Sequence, residues 1–316
     1  MKLWRRGVVA CLAVGIDLLV GDTPNRYHPV AWMGRAIGRA QGWAPRQGCL
    51  APLAYGAAVA LGGALAVGAL GCGIERLTGR LANGVGLLLE AALLKSTVGL
   101  IGLERAALEI RDALSRGDLA EARRLTSWHL VSRDTTTLDE ARVAAATIES
   151  VAENTSDGIL GPLFYHALCG LPGALAYRFL NTCDSMLGYR DAEREWLGKV
   201  PARLDDLLNL LPARLTAGLL IAAARLCGED AGRAVAIRRR DAHLTASPNA
   251  GHPMSAMAGA LGVELEKIGH YRLGAGQRLP RADDITRAIR LMRGGTALAL
   301  GGLLFFSLLI DRKSAR

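Results

Sequence analysis

Aromatic residues are scarce in this chain of 316 residues, at 5%, and none is interleaved with its one dense basic run, Arg238, Arg239 and Arg240. A nucleic-acid surface needs aromatic platforms beside its cations, so the formal net charge of +9 points instead to an anionic membrane surface or to phosphorylated substrates. The run itself reads as a solvated or membrane-facing edge. Paired cysteines are also missing. Cys11, Cys49, Cys72, Cys169, Cys183 and Cys227 lie far apart without a C-x-x-C pair, so neither a zinc site nor a disulfide framework is implied. The phosphate loop G-x-x-x-x-G-K-[ST], the G-x-G-x-x-G turn, the H-E-x-x-H helix and the G-x-S-x-G elbow are absent. A nucleotide would therefore have to be held by acid-bound Mg2+ and arginines.

What the chain has in quantity is aliphatic sequence. Hydrophobic residues make up 51% against 21% charged residues, and the mean hydropathy of +0.22 suits a protein partly in lipid. The stretch from Leu50 to Ile74 carries no charge and exceeds the roughly 20 residues a helix needs to cross a bilayer. Its many Gly and Ala residues permit close helix packing there. Ile159 to Tyr177 and Gly294 to Ile310, the latter just before Arg312 and Lys313, are near spanning length. Leu81 to Leu103 holds Glu90 and Lys95, and Leu204 to Cys227 becomes apolar only in its second half, so both read as amphipathic or half-buried. Lys2, Arg5 and Arg6 before the apolar Gly7 to Ile16 resemble a secretory leader, but Asp17 and the lack of a small-residue cleavage site favour a retained first membrane segment.

The polar regions between, Glu104 to Gly158 and Gly228 to Arg293, carry helical periodicity such as Leu103, Ala106, Ala107, Ile110, Ala113, Leu114. No convincing alternating strand and no tandem repeat is present. The expected fold is all-α: a polytopic helical membrane protein of about four or five spans with helical polar connections, forming one membrane-embedded domain over residues 1–316. Basic residues flank both ends of nearly every apolar stretch, which leaves the orientation open.

Polar clusters sit against these apolar stretches, where an uncompensated charge is costly and usually has a functional reason. Asp17 and Gly21 to Pro29 close the first segment with turn chemistry, and His28 there reads as structural. Ser132, Arg133, Asp134 and Thr135 precede E-S-V-A-E-N-T-S-D-G, in which Glu149, Glu153 and Asp157 recur at i, i+4 and i+8 with Asn154 beside them. On a continuous α-helix three carboxylates would share one face, and their repulsion calls for a divalent metal or an arginine partner. Asn181 and Asp184 follow at helical spacing. Asp205, Asp206 and Asn209 lie between Arg203 and Arg214, where internal salt bridges compete evenly with function. Ser247, Pro248, Asn249, Ala250, Gly251, His252 and Pro253 form a Gly and Pro loop whose N–H groups could meet an anion, although a plain turn is the default reading.

Taken in order, D-x-x-x-G-D-x-P-x-x-x-H-P-V, R-D-T, E-N-T-S-D-G, N-T-x-D-S-M-x-G-Y, A-R-L-D-D-x-x-N-x-x-P-A-R and S-P-N-A-G-x-P, from Asp17 to about Gly262, closely resemble the CobD/CbiB family of adenosylcobinamide-phosphate synthases. The resemblance implies a multi-pass inner-membrane enzyme that joins a corrinoid, adenosylcobyric acid, to aminopropanol phosphate through an amide, with ATP and Mg2+. Other membrane-bound cobalamin enzymes are then its natural associates, and nucleic acid is not a partner. On this reading Glu153, Asp157, Asp184, Asp205 and Asp206 are the candidate catalytic acids, with Glu153, Asp184, Asp205 and Asp206 as Mg2+ ligands. Arg133, Arg203 and Arg214 would hold phosphates or the substrate carboxylate. Asn154, Asn181, Asn209, Ser247 and Asn249 complete the substrate contacts. Two other classes compete: an AmpE-like membrane sensor, which has no need of the acid and amide series, and a corrinoid transporter, which should show paired repeats with broken helices.

Overall fold

In the computed structural model, described for residues 2–21, 23–189, 191 and 194–314, the chain is helical almost throughout. Only the backbone is described for Lys2, Asn83 and residues 310–314. Asp22 of the first motif lies outside the described residues, and so do the side chains of Arg312 and Lys313. The helices are α1 (Lys2–Val20), α2 (Pro29–Gly42), α3 (Leu50–Thr78), α4 (Asn83–Lys95), α5 (Leu100–Ser115), α6 (Leu119–His129) and α7 (Glu140–Asn154). A π-helical turn, Thr155–Leu160, leads into α8 (Gly161–Cys169), α9 (Leu171–Leu187), α10 (Lys199–Leu208), α11 (Leu210–Leu226), α12 (Ala231–Asp241) and α13 (Gly251–Leu261). A two-stranded hairpin, β1 (Leu265–Lys267) and β2 (Tyr271–Leu273), precedes α14 (Ala282–Ser314). Three-residue strands are too short to register as an alternating pattern, which is why the hairpin escapes the sequence reading.

The helices fall into two compact units. The first comprises Met1–Gly99, Gly161–Asn209 and Gly302–Arg316. In it α9 packs along α3 and α4 along α1. The buried positions of α3 are mostly small: Gly56, Ala60, Ala64 and Gly71. A Cβ on Gly56 would stand 1.9 Å from the Leu197 carbonyl oxygen, and one on Gly71 2.8 Å from the Pro172 Cα. Backbone therefore meets backbone along this stripe, the packing mode that suits helices in lipid. The other side of α3 exposes Leu61, Leu65, Leu70 and Leu77, with Leu65 at 74%. An apolar surface of that length on a 29-residue helix is a lipid-facing one.

Charges that interrupt the apolar stretches of this unit are matched. Arg5 donates to Glu90 at 2.7 Å, and Lys95 lies 3.8 Å from the fully buried Asp17. Glu90 and Lys95 thus do not disqualify their stretch. It forms one of the three helical lengths among the described residues that are long and apolar enough to cross a membrane, Leu50–Thr78, Gly84–Ser115 and Ala282–Leu309, or four if α10 and α11, broken at Asn209, count as one. α1, expected as the first membrane segment, is not among them. Nor is Ile159 to Tyr177, which the π turn and Gly170, at φ 75°, divide into separate pieces.

The second unit comprises Leu100–Leu160 and Leu210–Gly301. Its interior is α7, buried continuously from Val143 to Ala152, and α13, buried from Pro253 to Leu261, with α11 and α12 packed on α13. Aspartates start three of its helices: Asp118, Asp139 and Asp230 accept from the backbone N–H groups of Glu121, Arg142 and Arg233. Gly262, at φ 67°, closes α13 with the left-handed turn glycine tolerates best. The π turn follows from Pro162, which has no N–H to continue the α-helical ladder across Gly158.

Close packing along α3 has a measurable consequence. Gly56→Leu should lower stability in detergent by about 1–3 kcal/mol through overpacking. Gly62→Leu, on the same helix with nothing within 4 Å, should leave the unfolding midpoint nearly unchanged; equal losses in the two variants would contradict the packing stripe.

Candidate functional site

In the first unit the fourth and fifth motifs meet. Asp205 is buried on α10, and each of its oxygens accepts from a side-chain amide: Oδ1 from Asn181 Nδ2 at 3.2 Å and Oδ2 from Asn209 Nδ2 at 2.9 Å. Asn209 Oδ1 in turn accepts from the Tyr177 hydroxyl at 2.8 Å, and the Tyr177 ring stacks on that of Tyr165. Arg178 Nη1 reaches Asn181 Oδ1 at 3.4 Å. A buried carboxylate satisfied on both oxygens by amides holds those amides in one orientation, which makes Asp205 the hub of a rigid polar network.

Beside this network a cleft of about 240 Å³ is lined by Gly188, Tyr189, Glu195, Gly198, Lys199, Ala202, Arg203 and Asp206. Gly198 and Gly188 form its close-packed part: a Cβ on Gly198 would stand 1.9 Å from the Leu187 carbonyl oxygen. Lys199 lies over the Trp196 ring and 3.4 Å from Glu195, and Arg203 lies 3.5 Å from Asp206. Asp184 packs against Gly188, whose N–H donates to the Asp184 carbonyl at 2.7 Å. Arg203, Asp206 and Asp184 thus belong to one neighbourhood of mixed charge, open to a small polar ligand.

In the second unit Arg133 Nη2 approaches Glu149 Oε2 at 3.7 Å. Glu149 is 5% exposed and its Oε1 has no hydrogen-bond partner. Burial pushes its carboxyl up to about 7, with Arg133 and Lys267 opposing and Glu153 adding to the rise. The Tyr271 phenol, from the hairpin, is pushed well above its ordinary range by burial and by Glu149 and Glu153. The arginine partner expected for the acidic face is therefore Arg133. The continuous α-helix expected under the three acids is interrupted: α7 ends at Asn154 and Asp157 lies within the π turn, yet Glu153, Asn154 and Asp157 are all half-buried between fully buried neighbours. Only Glu149 and Glu153 keep the α-helical spacing. Asn154 Nδ2 donates back to the Ser150 carbonyl at 3.0 Å.

The remaining predicted residues gather at the start of α13. Asn249 is buried and its Oδ1 accepts from Arg214 Nη1 at 3.3 Å. Ser247 Oγ accepts from the N–H groups of Asn249 and Ala250, at 3.2 and 3.4 Å, so it shapes the loop. A further open pocket of about 530 Å³ involves Arg123, Trp128, Asp134 and Thr135, and there Asp134 accepts from the N–H and hydroxyl of Thr136.

Among the described residues no three His, Cys, Asp or Glu side chains gather into a metal cage. Mg2+ held jointly with a phosphorylated ligand would take about one or two carboxylates from protein and the rest from phosphate and water. Asp206 and Asp184 fit such a share. Glu149, Tyr177, Lys267 and Tyr271 join these clusters although the sequence reading left them out of its candidate set. Glu149 had a legible signal in its helical spacing to Glu153, whereas Lys267 and Tyr271 reach the site only through the hairpin.

The chain matches the family described as CobD/Cbib protein over residues 10–292. It is 41% identical over 269 residues to a probable cobalamin biosynthesis protein CobD of Methanothermobacter thermautotrophicus, covering 84% of this chain and 86% of that one. It is 39% identical over 305 residues to cobalamin biosynthesis protein CobD of Klebsiella pneumoniae, covering 92% and 94%. The likeness to cobalamin biosynthesis protein CbiB of Salmonella typhimurium is 38% over 305 residues, covering 93% and 95%. No solved structure matches the chain. With apolar spanning helices, the six polar motifs in order and relatives matched over nearly their whole length, this chain belongs to the CobD/CbiB family.

Proposed function

We propose that this membrane protein of cobalamin biosynthesis is an ATP-dependent amide-forming ligase, joining (R)-1-aminopropan-2-ol phosphate to a propionate of adenosylcobyric acid. The observation that carries the reading is the buried Asn181, Asp205 and Asn209 network at the family's own motif positions. A sensor has no need of an acid held rigid by two amides inside an apolar unit. Such a network fixes in one orientation the helix that also carries Arg203 and Asp206, the rigidity a substrate site needs. A multi-pass location in the cell membrane accompanies this reading.

A carboxylate is a poor acyl donor until one of its oxygens becomes part of a leaving group, and that is the chemistry ATP with Mg2+ supplies when bound. The chain's own residues do the rest. Arg203 and Lys199 in the cleft attract the charged end of a substrate, with Asp206 and Asp184 as the Mg2+ donors. Asp205, engaged on both oxygens, is a positioning residue for Asn181 and Asn209. Glu153 and Asp157 remain the candidate acceptors for the proton an ammonium must lose before its nitrogen can attack. Arg133 holds the neighbouring Glu149.

Two outcomes test this reading. The purified chain in detergent, given ATP, Mg2+, adenosylcobyric acid and aminopropanol phosphate, should form a product with the mass of the condensed amide. Asp206→Asn should then reduce turnover by about 100-fold and raise the Mg2+ concentration required. Full turnover in a folded Asp206→Asn variant removes that residue from the site, and no product from the wild type removes the ligase.

Glu149 has a separate signature in stability. Its carboxyl titrates near 7 when folded, against an ordinary 4.5. A raised acid stabilises fully below its unfolded value, and that contribution is lost as pH rises through about 7. Thermal unfolding in detergent should show Glu149→Gln gaining on the wild type between pH 5 and pH 8, by on the order of 3 kcal/mol at most. A difference that stays constant over that range would mean the acid is ionised throughout.

A further inference from the structure

Several arginines of the second unit face an acid. Arg287 bonds Glu229 and Asp284, Arg278 bonds Asp284 at 2.7 Å, and Arg293 bonds Glu104 at 2.6 Å. Arg214 on α11 and Arg238 on α12 break this pattern: among the described residues neither forms an ion pair with a carboxylate. Asp241, one turn beyond Arg238, is turned away to Arg240 and to the N–H of Gly274 at 2.7 Å. Both guanidiniums act on His252, in the first turn of α13. Arg238 Nε and His252 Nδ1 are buried without a hydrogen-bond partner. Burial first, and then the charges of Arg214 and Arg238, push the imidazole down to about 4. No carboxylate enters the first turn of α13 and no side chain caps it, so its amino end adds to the same positive field.

Two uncompensated guanidiniums, an imidazole and a helix start on three packed helices make an arrangement that lacks only its counter-charge. We infer that Arg214, Arg238 and His252, steadied by the contact of Arg214 with Asn249, form a binding site for the phosphoryl group of a soluble phosphate ester. The inference rests on the proposed function for which ester arrives, the aminopropanol phosphate or ATP. Both offer a terminal phosphoryl group with oxygens matched to the guanidinium fork. It also gives Arg238 a role other than a solvated edge. An anion seated between the two arginines offsets the part of the lowering that their charges add to burial, so binding raises the affinity of the imidazole for a proton.

The test uses the full chain with nitrogen-15-labelled histidine, in micelles free of anionic lipid, titrated with inorganic phosphate. The His252 signal, assigned with His252→Gln, should move its titration from about 4 toward neutrality as phosphate saturates. Arg214→Gln and Arg238→Gln should each weaken phosphate binding about tenfold or more, while Arg239→Gln leaves it unchanged. Arg238→Lys keeps a charge and should recover part of the affinity. Aminopropanol phosphate and ATP are then added as competitors, and displacement by either names the source. An unmoved His252, wild-type affinity in both glutamine variants, displacement by neither ester, or a response confined to vesicles of phosphatidylglycerol would each overturn the site. Amide product from a wild type whose His252 ignores phosphate refutes the site and spares the ligase; a phosphate response without product does the reverse.

Discussion

A charge inside an apolar helical layer must be matched, because the desolvation cost is several kcal/mol per ion and water is absent to share it. That constraint orders both units of this protein. Asp17 is there because Lys95 is, Glu90 because Arg5 is, and Glu104 because Arg293 is. Small residues on α3 bring backbones close enough for α9 to sit beside it, so the few polar groups admitted can be held rather than hydrated. The same rule makes the exceptions informative. A buried carboxylate bonded by amides alone, a carboxyl with one unpartnered oxygen and, among the described residues, two arginines without an acid are arrangements that packing alone does not call for.

Those exceptions fall at motif positions or beside them. Asp205 is tied to Asn181 and Asn209, which lie 24 and 4 residues away in sequence. Glu149 meets Arg133 from the preceding loop, and Arg214 meets Asn249 across 35 residues. Each cluster lies within its own unit: an amide network and a mixed-charge cleft in the first, a buried acid and a group of arginines in the second. Amide synthesis from a carboxylate and an ammonium needs these capacities, namely substrate orientation, phosphate and metal binding, and a place for the proton.

How much of this was legible in the sequence depends on range. The all-helical character, the span at Leu50 to Ile74 and the clustering of acids, amides and arginines follow from local composition and period. Glu90 and Lys95 misled because their partners, Arg5 and Asp17, are about 80 residues distant. The spacing of Glu149, Glu153 and Asp157 could not reveal that the α-helix gives way to a π turn before Asp157, a break that depends on Pro162 further along. Lys267 and Tyr271 stand on strands of three residues whose pairing is a tertiary fact. Arg238 looked like one of three surface arginines, and only the packing of α12 on α13 sets it apart from Arg239.

The proposed ligase turns on ATP making the corrinoid carboxylate an acyl donor, by placing a phosphoryl group on its oxygen, before the amine attacks. Adenosylcobyric acid carrying oxygen-18 in its free propionate reports this directly. The account predicts that inorganic phosphate released with the amide product carries one labelled oxygen per turnover. Label found in AMP, or phosphate released without label while amide accumulates, would contradict it.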